Sequence, residues 1–431
     1  MTENKFYDKA ILVGACFDKE DYDRKMHSMD ELERLADTAG IQTLAKLVQM
    51  RKVVDKATYL GKGFIEDVCS KMEMVGATII IFDNELSPNQ SRNLLNDYKV
   101  EAIDRTEVIL EIFNRRAQTR EARLQVKLAT LNYQLPRLKK LWSHLDRESG
   151  SSATGTSGAG GVSRGMGEKQ IEIDKRLIRA EIGQITKLLQ QIGTQKDIQR
   201  KGRSEIKKVS LVGYTNAGKS TLFNKLTNAG VLVEDKLFAT LDSTVRNFDT
   251  GINQKTVISD TVGFIADLPH HLVAGFRATL KEVVGADLLL HVVDLSDPQF
   301  EKNIDEVNKV LKSIEADNIP TLLVFNKIDA CPVYVLEDDQ LMEKYSDSVK
   351  ISAANGVNID EILKHVNFLI HDVERITLKI PVEEQELMMK LYNNGKVYNR
   401  EFTDDYVILD IALKRSDIAT LEHYLYKFEC C

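Results

Sequence analysis

Cysteine is scarce in this chain of 431 residues, and the five present (Cys16, Cys69, Cys331, Cys430 and Cys431) are scattered. None belongs to a CxxC pair or has a histidine at ligand spacing, which excludes a disulfide scaffold and a zinc protein. Free thiols in a reducing cytoplasm are the expectation. Proline is sparse too, 7 residues against 24 glycines, and the composition is neither fibrous nor disordered. No apolar run approaches the roughly 18 residues that a membrane-spanning helix needs. The opening MTENKFYDKAILVG has no basic stretch ahead of an apolar core and a small-residue cleavage site, so no secretory leader is expected.

What is there is a chain with 43% hydrophobic and 29% charged residues, long enough for two to four domains with buried cores. The net charge of −7 argues against a general nucleic-acid binder. That average hides an asymmetry. Between Arg115 and Arg147 stand nine basic residues (Arg115, Arg116, Arg120, Arg123, Lys127, Arg137, Lys139, Lys140, Arg147) and two acidic ones (Glu121, Asp146). A polyanionic partner is expected on that segment.

The patterning divides the chain into four parts: an α/β domain over 1–105, a coiled-coil hairpin over 106–205, a P-loop domain over 206–373 and a small α+β domain over 374–431. In the first, KAILVGACF (Lys9–Phe17) and ATIIIFD (Ala77–Asp83) read as buried strands, Ser28–Ala39 as a helix, and Gly61 and Gly63 as loop-to-helix turn glycines. In the second, Leu124, Leu128, Leu131, Leu135, Leu138, Trp142 and Leu145 recur at spacings of 4 and 3, and Ile171, Ile178, Ile182, Ile185, Leu189 and Ile192 at 7, 4, 3, 4 and 3. Such seams pair two helices by knobs-into-holes packing. Pro136 is expected to kink the first arm. The Gly/Ser-rich stretch Ser149–Gly167 is expected to form an irregular tip, with Arg164 and Lys169 as further cations for a polyanion. In the last part, ITLKIP, VYNREF and DYVILDIAL read as strands, EEQELMMKLYNN and SDIATLEHYLYKF as helices.

The chemistry is in the third part. A strand over Lys208–Val212 leads into Gly213-Tyr214-Thr215-Asn216-Ala217-Gly218-Lys219-Ser220, and a helix follows over STLFNKLT, which opens Ser220-Thr221. This is GxxxxGK[ST] in its strand–loop–helix setting. Glycines let successive N–H groups curl toward phosphate oxygens, Lys219 places a cation on the outer phosphates, and the Ser220 hydroxyl coordinates Mg²⁺. Next comes DxxG as Asp260-Thr261-Val262-Gly263, where Asp260 is expected to hold Mg²⁺ and the Gly263 amide to sense the γ-phosphate. NKxD follows as Asn326-Lys327-Ile328-Asp329, whose carboxylate can accept the two N–H donors on the guanine edge that adenine lacks. Ser352-Ala353-Ala354 is a backbone clamp on the base carbonyl. Four patterns in fixed order identify a GTP/GDP site. Between the first two lies Phe238-Ala239-Thr240-Leu241-Asp242, a segment expected to order around the triphosphate. Spacing leaves Thr240 and Thr244 both eligible as its Mg²⁺ ligand. The catalytic set is then Lys219, Gly263 and such a threonine. Phe264 stands where Ras-like switches carry a water-orienting glutamine. Either intrinsic hydrolysis is slow until a partner reshapes the loop, or Phe264 only packs.

This order, with YLGKG (Tyr59–Gly63), FDNELSPNQS (Phe82–Ser91), DRTEVILEIF (Asp104–Phe113), QVKLATLNYQLPRL (Gln125–Leu138), GYTNAGKST, LFATLD, DTVGFI and NKID, resembles the HflX family of ribosome-associated GTPases. The resemblance implies Thr240 as the Mg²⁺ threonine, hydrolysis stimulated by ribosomes, and binding of the large ribosomal subunit and its RNA through residues 106–205. It also implies, for some members, splitting of stalled or idle ribosomes under stress. The tip departs from the family's GGRGPGETQLE, reading Val162-Ser163-Arg164-Gly165-Met166-Gly167-Glu168-Lys169-Gln170-Ile171-Glu172 here. The expectation is a cytoplasmic, monomeric GTPase. A ribosome assembly factor, a GTP-gated module for a protein or membrane partner, and a weak membrane association stay open beside it.

Overall fold

The computed structural model describes residues 9–138, 162–201, 206–227, 237–238, 244–252, 254–265, 282–332, 339–403 and 405–425. They fall into two compact units, one of residues 1–197, 235–242 and 267–278, the other of residues 198–234, 243–266 and 279–431.

The first unit opens with a four-stranded parallel sheet in the order β2-β1-β3-β4. Its strands are β1 (Lys9–Cys16), β2 (Gln42–Met50), β3 (Ile79–Phe82) and β4 (Ala102–Asp104). Helices α1 (Lys19–Thr38), α2 (Lys62–Val75) and α3 (Pro88–Tyr98) connect them. β2 went unread in the sequence because QTLAKLVQM lines no fully apolar run, and every interior residue is only half-buried. Helix starts follow the caps. Asp18 accepts the Asp21 N–H, and Ser87 and Gln90 form a reciprocal capping box ahead of Pro88. Gly61 heads α2 with its N–H on the Gln49 side chain, while Gly63 lies in open space.

Next come α4 (Arg105–Arg116), α5 (Arg120–Gln134) and α6 (Val162–Lys201). α5 buries Ala122, Gln125, Val126, Ala129 and Tyr133 along one stripe. Lys127 pairs with Glu181 of α6 at 2.5 Å. In α6 Ile185 is buried, and Ile178, Ile182, Leu189 and Ile192 are half-buried, as the heptad reading expects. At Pro136 the α-helix is interrupted: α5 ends at Gln134 and passes into a 3₁₀ turn over Leu135–Arg137, which tolerates the missing N–H, before α-helix resumes at Leu138. One expectation is corrected: the tip is not irregular throughout, because α6 starts at Val162 and takes in Gly165 and Gly167. Adding a turn to an existing helix avoids a new nucleation, which offsets the roughly 1 kcal/mol that each glycine costs. Residues 149–161 lie outside the described set, as do Lys139, Lys140 and Arg147.

Arg137 is not part of an RNA-facing set. It is buried, donating to the Leu86 carbonyl at 2.6 Å, pairing with Asp104 at 3.4 Å and stacking on Tyr133. Burial pushes the Asp104 carboxyl up from its ordinary value, and Arg137 opposes that rise. Arg120 and Arg123 of the same segment are exposed.

The second unit holds a six-stranded sheet in the order β10-β9-β8-β5-β7-β6, parallel except for β6. Its strands are β5 (Lys207–Gly213), β6 (Thr244–Phe248), β7 (Thr256–Asp260), β8 (Leu288–Asp294), β9 (Thr321–Asn326) and β10 (Ser348–Lys350). Helices α7 (Lys219–Thr227), α8 (Phe300–Ser313) and α9 (Ile359–His371) belong to it. α7, α9 and the strands close over Leu211, Phe223, Leu290 and Val324, all 0% exposed, while α8 packs Ile304 with Val293 and Phe325. The same unit ends in an antiparallel sheet, β11-β13-β12, of β11 (Val373–Pro381), β12 (Lys396–Phe402) and β13 (Tyr406–Lys414), with α10 (Gln385–Asn394). The expected last helix is broken into Arg415–Ile418 and a 3₁₀ turn at Glu422–Tyr424, because the intervening turn buries Leu421 in the sheet's core.

Candidate nucleotide site

The site forms where β5, β7 and β9 end at the same edge of the sheet. β5 stops at Gly213, whose φ is +147°. A Cβ there would sit 2.2 Å from the Val292 carbonyl oxygen of β8, so only glycine lets the loop leave the strand. Asn216 at φ +61° turns the loop onward to Gly218 and α7.

Lys219 is 6% exposed and donates to the carbonyls of Tyr214 at 2.7 Å and Gly213 at 3.0 Å. The ammonium thus sits in the loop's own hollow. Burial pushes it down to about 8. Ser220 donates to the Asp260 carboxylate at 2.8 Å, and Asp260 at the end of β7 is fully buried. A hydroxyl beside a carboxylate is a donor set suited to a hard cation. Thr261 donates to the Leu211 carbonyl at 2.6 Å and so holds the strand end in place.

The segment after Asp260 closes on the loop. Phe264 N–H donates to the Gly213 carbonyl at 3.1 Å, and its own carbonyl accepts the Thr215 N–H at 2.7 Å. The Phe264 ring is 4% exposed, so it packs. Gly263 passes close: a Cβ there would lie 2.8 Å from the Thr215 methyl and 3.0 Å from Lys219 Nζ. Gly263 and Lys219, 44 positions apart in the sequence, are therefore neighbours.

The NKxD and Ser352–Ala354 elements also meet. Asn326 is buried, donating to the Ala217 carbonyl at 2.8 Å and accepting the Ala353 N–H at 2.9 Å. It staples the phosphate loop to the base clamp. Lys327 adopts φ +65° and pairs with Asp294 at 2.6 Å. Asp329 is exposed, with its carboxylate held by the Ser352 hydroxyl, and Ile328 donates to the Ile351 carbonyl at 3.3 Å. Ala354 is exposed next to these groups. Ala239, Thr240, Leu241 and Asp242 lie outside the described residues. Leu237 and Phe238 are described, both buried, with the Phe238 ring packed on Phe113.

One neighbour went unread in the sequence. His291 of β8, opposite Val212 in the register, is 2% exposed. Burial, with Lys219 adding to it, holds its imidazole down at about 3, so it stays neutral. The only signal was a histidine inside the apolar run LLLHVVD.

Known proteins fit this architecture along its length. Residues 26–114 match the family described as GTP-binding GTPase N-terminal, 116–203 the GTP-binding GTPase Middle Region, and 208–327 the 50S ribosome-binding GTPase. Over 422 residues the chain is 40% identical to the GTPase HflX of Magnetococcus marinus, covering 96% of this chain and 94% of that protein. The chain belongs to the HflX family of GTPases. A second HflX GTPase, from Escherichia coli, is 41% identical over 388 residues, 89% of this chain and 88% of that protein. As an HflX GTPase, the chain binds guanine nucleotide and hydrolyses GTP. Among solved structures, a GTP-binding protein from the hyperthermophilic archaeon Sulfolobus solfataricus in complex with GDP is 23% identical, covers 84% of this chain and 99% of that one, and has a TM-score of 0.43.

Proposed function

We propose that this GTPase binds the large ribosomal subunit through residues 106–205, works in the cytoplasm, and uses GTP hydrolysis to time its release, separating stalled or idle ribosomes under stress. The observation that carries this reading is the match of residues 208–327 to a 50S ribosome-binding GTPase, on a chain whose Lys219, Ser220, Asp260 and Gly263 converge on one hollow. Among the described residues no helix is long and apolar enough to cross a membrane.

In the hydrolytic reaction the loop N–H groups from Tyr214 to Ser220 cradle the phosphates, and Lys219 turns from its two carbonyls to the β- and γ-phosphates. Ser220, Asp260 and Thr240 would hold the cation. Mg²⁺ bound there would neutralise charge developing on the phosphoryl oxygens. Asp329 reads the guanine edge, with Ser352 steadying its carboxylate. The buried Phe264 offers no group to orient water, so basal turnover is slow and the bound ribosome completes the site. GTP turnover measured with and without purified large subunits at matched salt tests this. Stimulation of at least about tenfold is expected, since partner-completed sites of this class gain several powers of ten. Deleting residues 149–167 is expected to abolish it. Turnover indifferent to large subunits sinks the reading.

Lys219 also gives a pH signature. In the free protein its ammonium loses its proton at about 8. Bound phosphates favour the charged form, so nucleotide binding above that pH must take up a proton. GDP affinity is therefore level below about pH 8 and falls above it, approaching about tenfold per pH unit. Calorimetry across pH 7 to 9.5, in buffers of different ionisation enthalpy, reads both the affinity and the proton. A flat profile through pH 9.5 removes Lys219 from the phosphate site.

A further inference from the structure

Within the second unit, a cavity of about 540 Å³ opens where α9 packs beside β11, a volume in the range of small-molecule sites. It reaches Leu322 near the start of β9, whereas the nucleotide loops follow the strand ends. Leu322, Leu363, Phe368, Val373 and Ala412 give it an apolar wall. Thr250 and Asn367 also line it and are 2% and 8% exposed. The Asn367 amide donates to the Thr250 carbonyl at 2.8 Å. Its own Oδ1 and the Thr250 hydroxyl have no hydrogen-bond partner among the described residues. Buried polar atoms are nearly always paired, so two unpaired on one cavity wall mark the place of a missing partner.

Charge says what kind of partner. Asp347, Asp360 and Glu374 line the cavity, are exposed, and form no ion pair among the described residues, although Asp360 also steadies the Arg375 charge. The lining cations are already engaged. Lys364 pairs with Glu361 at 2.7 Å, and Arg375 donates to Asp410 through Nε at 2.8 Å and through Nη2. Arg375 also stacks on Tyr398 at 4.3 Å. What is left unserved is a set of acceptors beside hydrocarbon.

We propose that this cavity binds a small organic cation, an ammonium carried on an apolar body. Its N–H donors would serve Asn367 Oδ1, the Thr250 hydroxyl and the three carboxylates, with its hydrocarbon laid on Leu363, Phe368 and Val373. Both unpaired atoms are covered, so the ammonium seats with a small side-chain rotation. A neutral molecule of the same shape leaves the carboxylates unserved, and an anion faces all three. Tyr398 donates to the Gly251 carbonyl at 3.2 Å, in the turn that joins β6 to β7. A ligand here therefore braces that turn, α9 and the C-terminal sheet against one another, and needs neither the ribosome nor hydrolysis.

The test uses the full chain saturated with GDP, so that the nucleotide loops are occupied, at constant ionic strength. Calorimetric titration with phenethylammonium chloride should give a Kd of about 1 mM or tighter. Phenethyl alcohol, matched in shape but neutral, should bind at least about tenfold more weakly, and 3-phenylpropionate more weakly still. Combining Asp347→Asn, Asp360→Asn and Glu374→Gln, all at exposed positions, should cost the ammonium about tenfold and leave the alcohol unchanged. Thr250→Val should weaken the ammonium by about threefold or more without lowering the melting temperature of the unliganded protein, since the hydroxyl has no partner there to lose. Spermidine that displaces phenethylammonium points to a polyamine as the ligand, and failure to displace it points to a monoamine. The proposal is overturned by no saturation up to about 10 mM phenethylammonium, or by an alcohol that binds as well as the ammonium. It is equally overturned if the triple variant binds the ammonium as tightly as the parent. A preference for phenylpropionate would make Lys364 and Arg375 the binding groups and overturns it too.

Discussion

Replacing Asp329 by asparagine should move the protein's preference from GTP to xanthosine triphosphate. Asp329 is exposed at the edge of the site, and the Ser352 hydroxyl donates to one of its oxygens. The remaining acceptor capacity faces outward for the N1–H and 2-amino donors of guanine. Asparagine keeps the oxygen that accepts from Ser352 and replaces the other by an NH₂. That group meets the guanine 2-amino donor with a donor of its own and leaves both unpaired. Xanthine presents a 2-oxo acceptor at the same place and restores the bond. Sites built around such a pair reject the mismatched ligand by about 10⁴ or more. The expected result is GTP affinity down by at least about 10³, with xanthosine triphosphate bound in its place. Competition binding against GDP for both nucleotides, on protein whose melting is unchanged, decides it. If GTP keeps its advantage, Asp329 is not the base reader.

The motif residues were legible because each is tied to a chemical need that few residue types meet. Gly213, Lys219, Ser220, Asp260, Gly263 and Asp329 come together as their motifs imply, even across long gaps in the chain. What the motifs conceal is the contacts their members make within the protein. The Asn326 amide spans the Ala217 carbonyl and the Ala353 N–H. The Phe238 ring is enclosed against Phe113. Both depend on contacts between segments far apart in sequence, which periodicity and spacing cannot show. The same holds for charge. The run from Arg115 to Arg147 sums to a strong positive excess, but Arg137 spends its charge inward on Asp104. The parallel sheet at the N-terminal end was half-read for another reason. β1 and β3 are continuous apolar runs buried on both faces, whereas β2 lies at the sheet's edge and mixes Lys, Gln and Thr with its apolar residues.

Lys219→Met should abolish hydrolysis without harming the fold. The ammonium is the group that can follow charge onto the β- and γ-phosphates, and electrostatic stabilisation of that kind supplies a large share of the rate in phosphoryl transfer. Loss of at least about 10³ in kcat/KM for GTP is expected. Stability should go the other way. In the nucleotide-free protein Lys219 is buried, and its ammonium is held down at about 8 against an ordinary 10.5. The folded state therefore binds its proton more weakly than the unfolded chain does. Below about pH 8 both states carry the charge and folding bears the whole penalty of burying it. From there toward 10.5 the unfolded chain holds more protons, so stability rises with pH. Methionine keeps the stem's volume and removes the charge. Its loss of the hydrogen bonds to Tyr214 and Gly213 takes back part of the gain, since each net bond contributes about 1 kcal/mol. Thermal melting at pH 7 should find the nucleotide-free variant at least as stable as the parent. Between pH 8 and 10 the parent should close the difference while the variant shows no matching rise. A variant that melts well below the parent at pH 7 would mean that the lysine holds the loop together. Its charge would then be part of the fold as well as of the chemistry.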